Sequence, residues 1–269
     1  MNKKFFSIAL AIFLVGGLTS CNRAKKADKM AEVLTFETAK FDTTVNLVKN
    51  LENSPKSVIN INLIYAIGPN ASQINEEILK SGILPEEDLK RGEKKTVPRA
   101  IEIFTKNYVK NYKQDFGDIF KEDPESQSCN QEFKVTSEIS YGKDSIINYR
   151  AIQYSECGGA HGNTSTFVMN FDRNTGKIIT KNDFFKDGSN EKLVEIITNK
   201  ILNQFNATDL DDLVAKEGIF EMEDPYVPNL FTIGNDGVTF IFTEEEVGSY
   251  SVGEIKVNIP FSEIADLIK

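Results

Sequence analysis

A single histidine and three cysteines hold most of the distinctive chemistry open to this sequence of 269 residues. His161 lies in Gly158-Gly159-Ala160-His161-Gly162-Asn163, just past Cys157. An imidazole can serve as base, acid or metal ligand near neutral pH. As a zinc ligand, a lone histidine must recruit carboxylates, and Glu156 and Asp172 are the nearby choices. As a base it needs a nucleophile, but Ser155 and Ser165 stand in no nucleophile-elbow pattern. An envelope hydrolase or deacetylase using His161 is therefore the alternative reading. No catalytic residue, metal ligand or cofactor is assigned. The plain structural reading is a buried or turn histidine whose ring bonds to backbone and locks the glycine-rich crossing. Asp209, Asp211 and Asp212 lack a twelve-residue calcium loop and read as helix-start charges.

The cysteines speak about location. Lys3-Lys4 precede an apolar run over residues 5–15 that is too short to span a bilayer. Leu18-Thr19-Ser20-Cys21 follows and resembles a bacterial lipobox, which makes residues 1–20 a lipoprotein signal peptide and Cys21 the lipidation site. Two or three acyl chains there would anchor the protein stably. Residues 21–32 are polar and mixed in charge and read as a tether. The expected place is the bacterial cell envelope, extracytoplasmic, with the membrane as partner through the lipid anchor. The net charge of −9 disfavours nucleic acid. Export to an oxidising compartment leaves Cys129 and Cys157 as an available pair.

The elements that would position these residues follow from periodicity. Residues 33–48 and 57–67 read as strands, with Ile59, Ile61 and Leu63 alternating against Asn60 and Asn62. A short helix fits 72–80. A longer one fits 96–116, capped by Thr96, with Ile101, Phe104, Tyr108, Tyr112 and Phe116 on a core-facing stripe. Residues 133–141 and 145–154 flank Gly142-Lys143-Asp144 as a hairpin. Symmetric pairing about Lys143 sets Tyr141 opposite Ser145 and Val135 opposite Ala151. Carried outward, that register sets Cys129 opposite Cys157 and predicts a disulfide adding about 3 kcal/mol.

Further on, residues 166–171 read as a strand and 177–180 as its return. Residues 189–205 form a helix, and Thr208 opens a capping box for a shorter one. Residues 229–233 and 238–243 make a hairpin, 244–253 a loop, 254–260 a strand, and Ser262 caps a last helix. Strands and helices are segregated, which predicts an α+β fold. Two successive subdomains, 33–165 and 166–269, each carry antiparallel sheet with helices packed on one face.

Tyr154, Gly158-Gly159-Ala160-His161-Gly162, Asn170-Phe171-Asp172, Thr175-Gly176-Lys177 and Asp183-Phe184-Phe185 together resemble a known family. It is that of the extracytoplasmic domains of RsiV-like anti-sigma factors, which sense lysozyme. The same paired domains of unknown function accompany the deacetylase domain of PdaC. The resemblance covers about residues 33–268 and is sharpest over 158–185. It implies an α+β fold of two subdomains and an envelope binding module for lysozyme or a cell-wall component such as peptidoglycan. An anti-sigma role is not carried over, because only a lipobox precedes the domain. The catalytic domain of PdaC has no counterpart before Lys269. In RsiV-like chains a loop with proline, then tyrosine, then glycine is implicated in gripping lysozyme. Tyr250 and Gly253 match it, while Ser249 stands where proline is expected. The residues implied for binding are His161, Gly158, Gly159, Asn163, Ser249 and Tyr250.

Overall fold

The computed structural model describes residues 33–90, 95–158 and 161–269. The leader, Cys21, the tether and Gly159 lie outside the described residues. The chain opens with two long strands, β1 (Thr35–Asn46) and β2 (Lys56–Ile67), paired antiparallel. The alternation in β2 does what its pattern requires. Ile59, Ile61 and Leu63 are sealed in the core, while Asn60 and Asn62 remain half-buried.

Helices α1 (Ala71–Lys80), α2 (Glu87–Lys90) and α3 (Val97–Glu122) come next. Thr96 caps α3 by accepting from the Arg99 amide, and Pro98 sits in its first turn. The stripe is core: Ile101, Phe104 and Tyr112 are buried, and Tyr108 and Phe116 partly so. The helix continues past the expected end at Phe116 to Glu122. Strands β3 (Gln131–Tyr141), β4 (Ile146–Glu156) and β5 (Asn163–Asp172) complete a sheet of order β1-β2-β3-β4-β5.

One pairing departs from the antiparallel expectation. β2 and β3 run parallel, from Ser57↔Gln131 to Asn62↔Thr136. Three helices lie between them in the chain and return it to the same end of the sheet, as a parallel crossover must.

The β3–β4 register is also two residues from the symmetric one. Tyr141 faces Ile147 and Val135 faces Gln153. The turn is docked rather than free: Gly142 donates to Ile146 O, and Lys143 donates to Gly234 O in the second subdomain. The ladder ends at Glu132↔Glu156, so Cys157 lies past its end and is exposed. Cys129 sits in the 3-10 turn (Gln127–Cys129) and is buried. The expected Cys129–Cys157 disulfide is thus corrected: its register does not form, and both thiols are free.

The second subdomain holds α4 (Lys181–Phe184), α5 (Asn190–Gln204), α6 (Leu210–Glu217), strands β6 (Leu230–Ile233), β7 (Gly237–Phe242) and β8 (Ile255–Pro260), and α7 (Phe261–Ile264). Its sheet is antiparallel, order β6-β7-β8, and its core joins Leu193, Ile197 and Ile201 of α5 to Phe231, Phe240 and Val257. Three local expectations change. Residues 177–180 form no strand, only the bridge Phe171↔Ile178, because Thr180 and Asp183 make a capping box that starts α4 there. The cap of α6 is Asp209, with Asp212 reaching back to the Thr208 amide. Ser262 lies inside α7 rather than capping it.

The fold is α+β in two subdomains. β5 runs through the boundary expected at 165/166, and the two cores part between Ile178 and Ile179. Buried amides join them. Asn148 Nδ2 donates to Ile233 O at 3.0 Å, and Asn148 Oδ1 accepts from Ile233 N at 3.1 Å. Asn170, opposite Asn148 on β5, donates to Phe231 O at 2.9 Å. Side-chain amides here take the place of a strand partner for β6.

Candidate functional site

His161 follows β4 and leads into β5 at one end of the first sheet. Tyr250 starts the 3-10 turn (Tyr250–Val252) in the loop between β7 and β8. The two rings stack across the subdomain junction, with centroids 4.3 Å apart and planes 22° from parallel. Both are exposed, Tyr250 at 46%. The imidazole is a surface group in a bend, so of the buried and turn alternatives the structure has the turn one. Its Nδ1 lies 3.0 Å from the Gly162 carbonyl oxygen and donates to it when it carries the proton.

The glycines explain how the segment reaches this place. Gly162 lies flat on the ring of Tyr154; a β-carbon there would come within 2.3 Å of Cε2 and Cζ. Gly158 has φ +71° and presses on the 3-10 turn beneath it, where a β-carbon would meet Gln127 O at 2.3 Å. These two are packing glycines that seat the segment. Asn163 and Ser249 are exposed, Asn163 at the head of β5 and Ser249 beside Tyr250. Ser249 Oγ and Ser251 Oγ share a hydrogen bond of 2.8 Å.

Tyr154 anchors the neighbouring surface. Its hydroxyl donates to Glu156 Oε2 at 2.8 Å, and that bond, more than burial, pushes the phenol up to about 12. Lys134, paired with Glu132 at 2.6 Å, stands 5.9 Å from its ring centroid. The residues that would make His161 catalytic are not brought to it. Glu156 is engaged by Tyr154. Asp172 lies at the far end of β5 and accepts from the Asn174 amide at 2.7 Å. Ser155 and Ser165 fall on the alternate positions to Tyr154 and Thr164, hence on the other sheet face. Among the described residues no three His, Cys, Asp or Glu side chains converge to hold a metal.

The sequence reading missed an ion-pair cluster around Glu254, four residues past Tyr250 in the chain. Arg150 Nη2 donates to both oxygens of Glu254 at 2.9 Å. Thr166 donates to Glu254 Oε2 at 3.2 Å, Lys256 lies 2.9 Å from Oε1, and Arg150 Nη1 stands 3.6 Å from Glu138. Burial pushes the Glu254 carboxyl up, but hydrogen bonds from Lys256 and Arg150 outweigh it and hold it below its ordinary value. The signal was parity: Arg150 sits one residue out of step with the buried set Ile147, Tyr149 and Ala151. The site as a whole is an exposed pair of aromatic rings, braced from both subdomains and bordered by carboxylates. Such a surface suits recognition, because rigid rings give contact area at low entropic cost.

Comparison with known proteins bears on the family and the fold. Residues 182–262 match the family described as a protein of unknown function, DUF3298, so the second subdomain carries that domain. The peptidoglycan-N-acetylmuramic acid deacetylase PdaC of Bacillus subtilis is 24% identical over 174 residues, 63% of this chain. The matched part is 36% of PdaC, so the chain spans about a third of that relative. A crystal structure of a DUF3298 member from Bacteroides fragilis shares the fold, with a TM-score of 0.78 at 19% identity, over 89% of this chain and 95% of that one. A second, from Pseudomonas aeruginosa, gives 0.59 at 15% identity over 87% and 95%.

Proposed function

We propose that this DUF3298-bearing chain is a lipid-anchored, extracytoplasmic binding module of the bacterial envelope, and that it takes lysozyme or a cell-wall component at the His161–Tyr250 edge. The observation that carries the reading is the stacked, exposed ring pair, built by one residue from each subdomain. The likeness to PdaC, whose name places its action on peptidoglycan, supports an envelope location. The net charge of −9 would draw a cationic partner such as lysozyme. Among the described residues no helix is long and apolar enough to cross a membrane; in this reading the attachment is an acylated Cys21, supported by the Leu18-Thr19-Ser20-Cys21 pattern.

Calorimetric titration of residues 22–269 with lysozyme and with peptidoglycan fragments, at low and physiological salt, tests the binding. Tyr250→Ala should weaken it at least about tenfold, a loss of about 1.4 kcal/mol, as for an interface anchor. Lysozyme binding should also fall with added salt. Silence toward both ligands at both salts would end this reading. The anchor has its own check. Cys21→Ala should move the chain from the detergent phase to the aqueous phase in detergent partition, and an unchanged distribution would refute lipidation there.

A further inference from the structure

The loop that carries Tyr250 is fastened differently on its two sides. The leg before Tyr250 is held within its own subdomain. Val247 is buried and its carbonyl accepts from Phe220 N at 2.8 Å, and Glu246 accepts from Tyr226 Oη at 2.7 Å and Thr243 N at 2.7 Å. The leg after Tyr250 is also tied to its own subdomain, since Val252 packs against the second core and Ile255 pairs with Phe242, but it alone has a further tie, because Glu254 reaches across to the other subdomain. Its carboxylate is gripped by Arg150 on β4 and Thr166 on β5. Those are the two strands whose junction is the glycine-rich segment bearing His161.

The chemistry of this grip is unusual for a stabilising device. Arg150 and Glu254 are each 19% exposed at the side chain, and Arg150 Nε is buried with no hydrogen-bond partner. A largely buried ion pair with an unmade donor gives little net stability over apolar packing, since desolvation offsets the attraction. It does restrict geometry, because the carboxylate is held at once by Arg150 Nη2, Thr166 Oγ1 and Lys256 Nζ. Charged neighbours complete the arrangement: Glu138 of β3 faces Arg150, and Lys256 of β8 faces Glu254.

We infer that the Arg150–Glu254 pair is a latch that holds the Tyr250 loop against His161, so that both residues position the binding edge without belonging to it. This inference rests on the edge proposed above, and it adds the means by which that edge is set. With the latch broken, the leg after Tyr250 loses its hold on the first subdomain, and Tyr250 leaves the imidazole. The binding surface is then no longer preorganised, and ordering it on contact costs affinity.

His161 is the only histidine, so its imidazole gives one pair of ring C–H resonances, displaced by the current of the Tyr250 ring. Proton spectra of residues 22–269, which keep every described residue, should be recorded for wild type, Glu254→Gln, Arg150→Met and Arg150→Lys. Tyr250→Ala marks the unstacked position. Each is read well below its melting temperature, at a pH where titration of every variant shows the same imidazole protonation. The expected result is that Glu254→Gln and Arg150→Met move the resonances most of the way to the Tyr250→Ala position, and Arg150→Lys less far. Resonances that stay at the wild-type position while the melting temperature falls would reduce the pair to a structural contact and overturn the latch. If wild type and Tyr250→Ala coincide, there is no stack to hold and the latch is refuted as well. Loss of the binding reading alone looks different: the shifts behave as expected, but neither lysozyme nor peptidoglycan fragments bind.

Discussion

Cys129 and Cys157 show how a residue-level expectation can fail for a reason one element away. Opposed cysteines at the mouth of a hairpin satisfy disulfide geometry only when the register brings them level. Here Cys157 lies past the end of β4, in the open, and Cys129 is sealed in a turn beneath Tyr112, whose hydroxyl donates to its carbonyl at 2.9 Å. In residues 22–269 a thiol reagent should therefore titrate one cysteine rapidly in the native state and the second only on unfolding. A count of zero thiols after unfolding would restore the disulfide. His161 and Tyr250 were legible as candidates from residue type and resemblance. Their mutual contact was not, since they lie on separate elements and no local pattern links them. Of the buried and turn alternatives for His161 the turn one holds, because the packing around it is done by glycines: Gly162 lies on Tyr154 and Gly158 on Gln127, which leaves the imidazole outside with its Nδ1 at the Gly162 carbonyl.

Most strands and helices were readable because each buries one face, and burial prints a period of two or of about 3.6 on the sequence. What was unreadable depended on partners. The parallel β2–β3 pairing needs the three-helix crossover, and the two-residue shift of β3 on β4 needs Gly234 to receive Lys143. The Arg150–Glu254 tie is of the same kind, and it makes a pH prediction at this scale. Glu254 is held below its ordinary value of 4.5 in the folded chain. A carboxyl of lowered pKa contributes stability that is present above the unfolded pKa and is lost as pH falls through the folded one. The gap in melting temperature between wild type and Glu254→Gln should be full at pH 6–7, shrink below about pH 4.5, and close as the folded carboxyl protonates and comes to resemble the amide. A gap that stays constant down to pH 3 would mean that folding does not lower the Glu254 pKa.

At the scale of the whole molecule, two cores share one boundary, and the boundary is polar where it holds. β6 is an edge strand of a three-stranded sheet, and an edge leaves backbone groups unpaired. Asn148 meets two of them at once, donating to Ile233 O and accepting from Ile233 N, and Asn170 meets a third on Phe231. The division of cores was legible as a change from one run of elements to the next. Its position was not, because the polar start of β5, Asn163 to Ser165, reads as loop and only Phe167, Met169 and Phe171 alternate as strand, so the pattern hides that one strand runs from Asn163 to Asp172. The amide clamp implies that the subdomains unfold together, since each covers polar backbone of the other. Asn148→Ala would leave the Ile233 N–H and C=O buried without partners, a loss of about 3 kcal/mol. It should also weaken the coupling itself. In scanning calorimetry the wild-type chain should give one cooperative transition, while Asn148→Ala should lower the first melting event and separate a second from it. A single transition in the variant, merely shifted, would show that apolar contacts such as Ile146 against the second core carry the coupling without the amide. The edge formed by His161 and Tyr250 has one residue on each side of this boundary, so whatever sets the docking of the two cores also sets the spacing of the two rings.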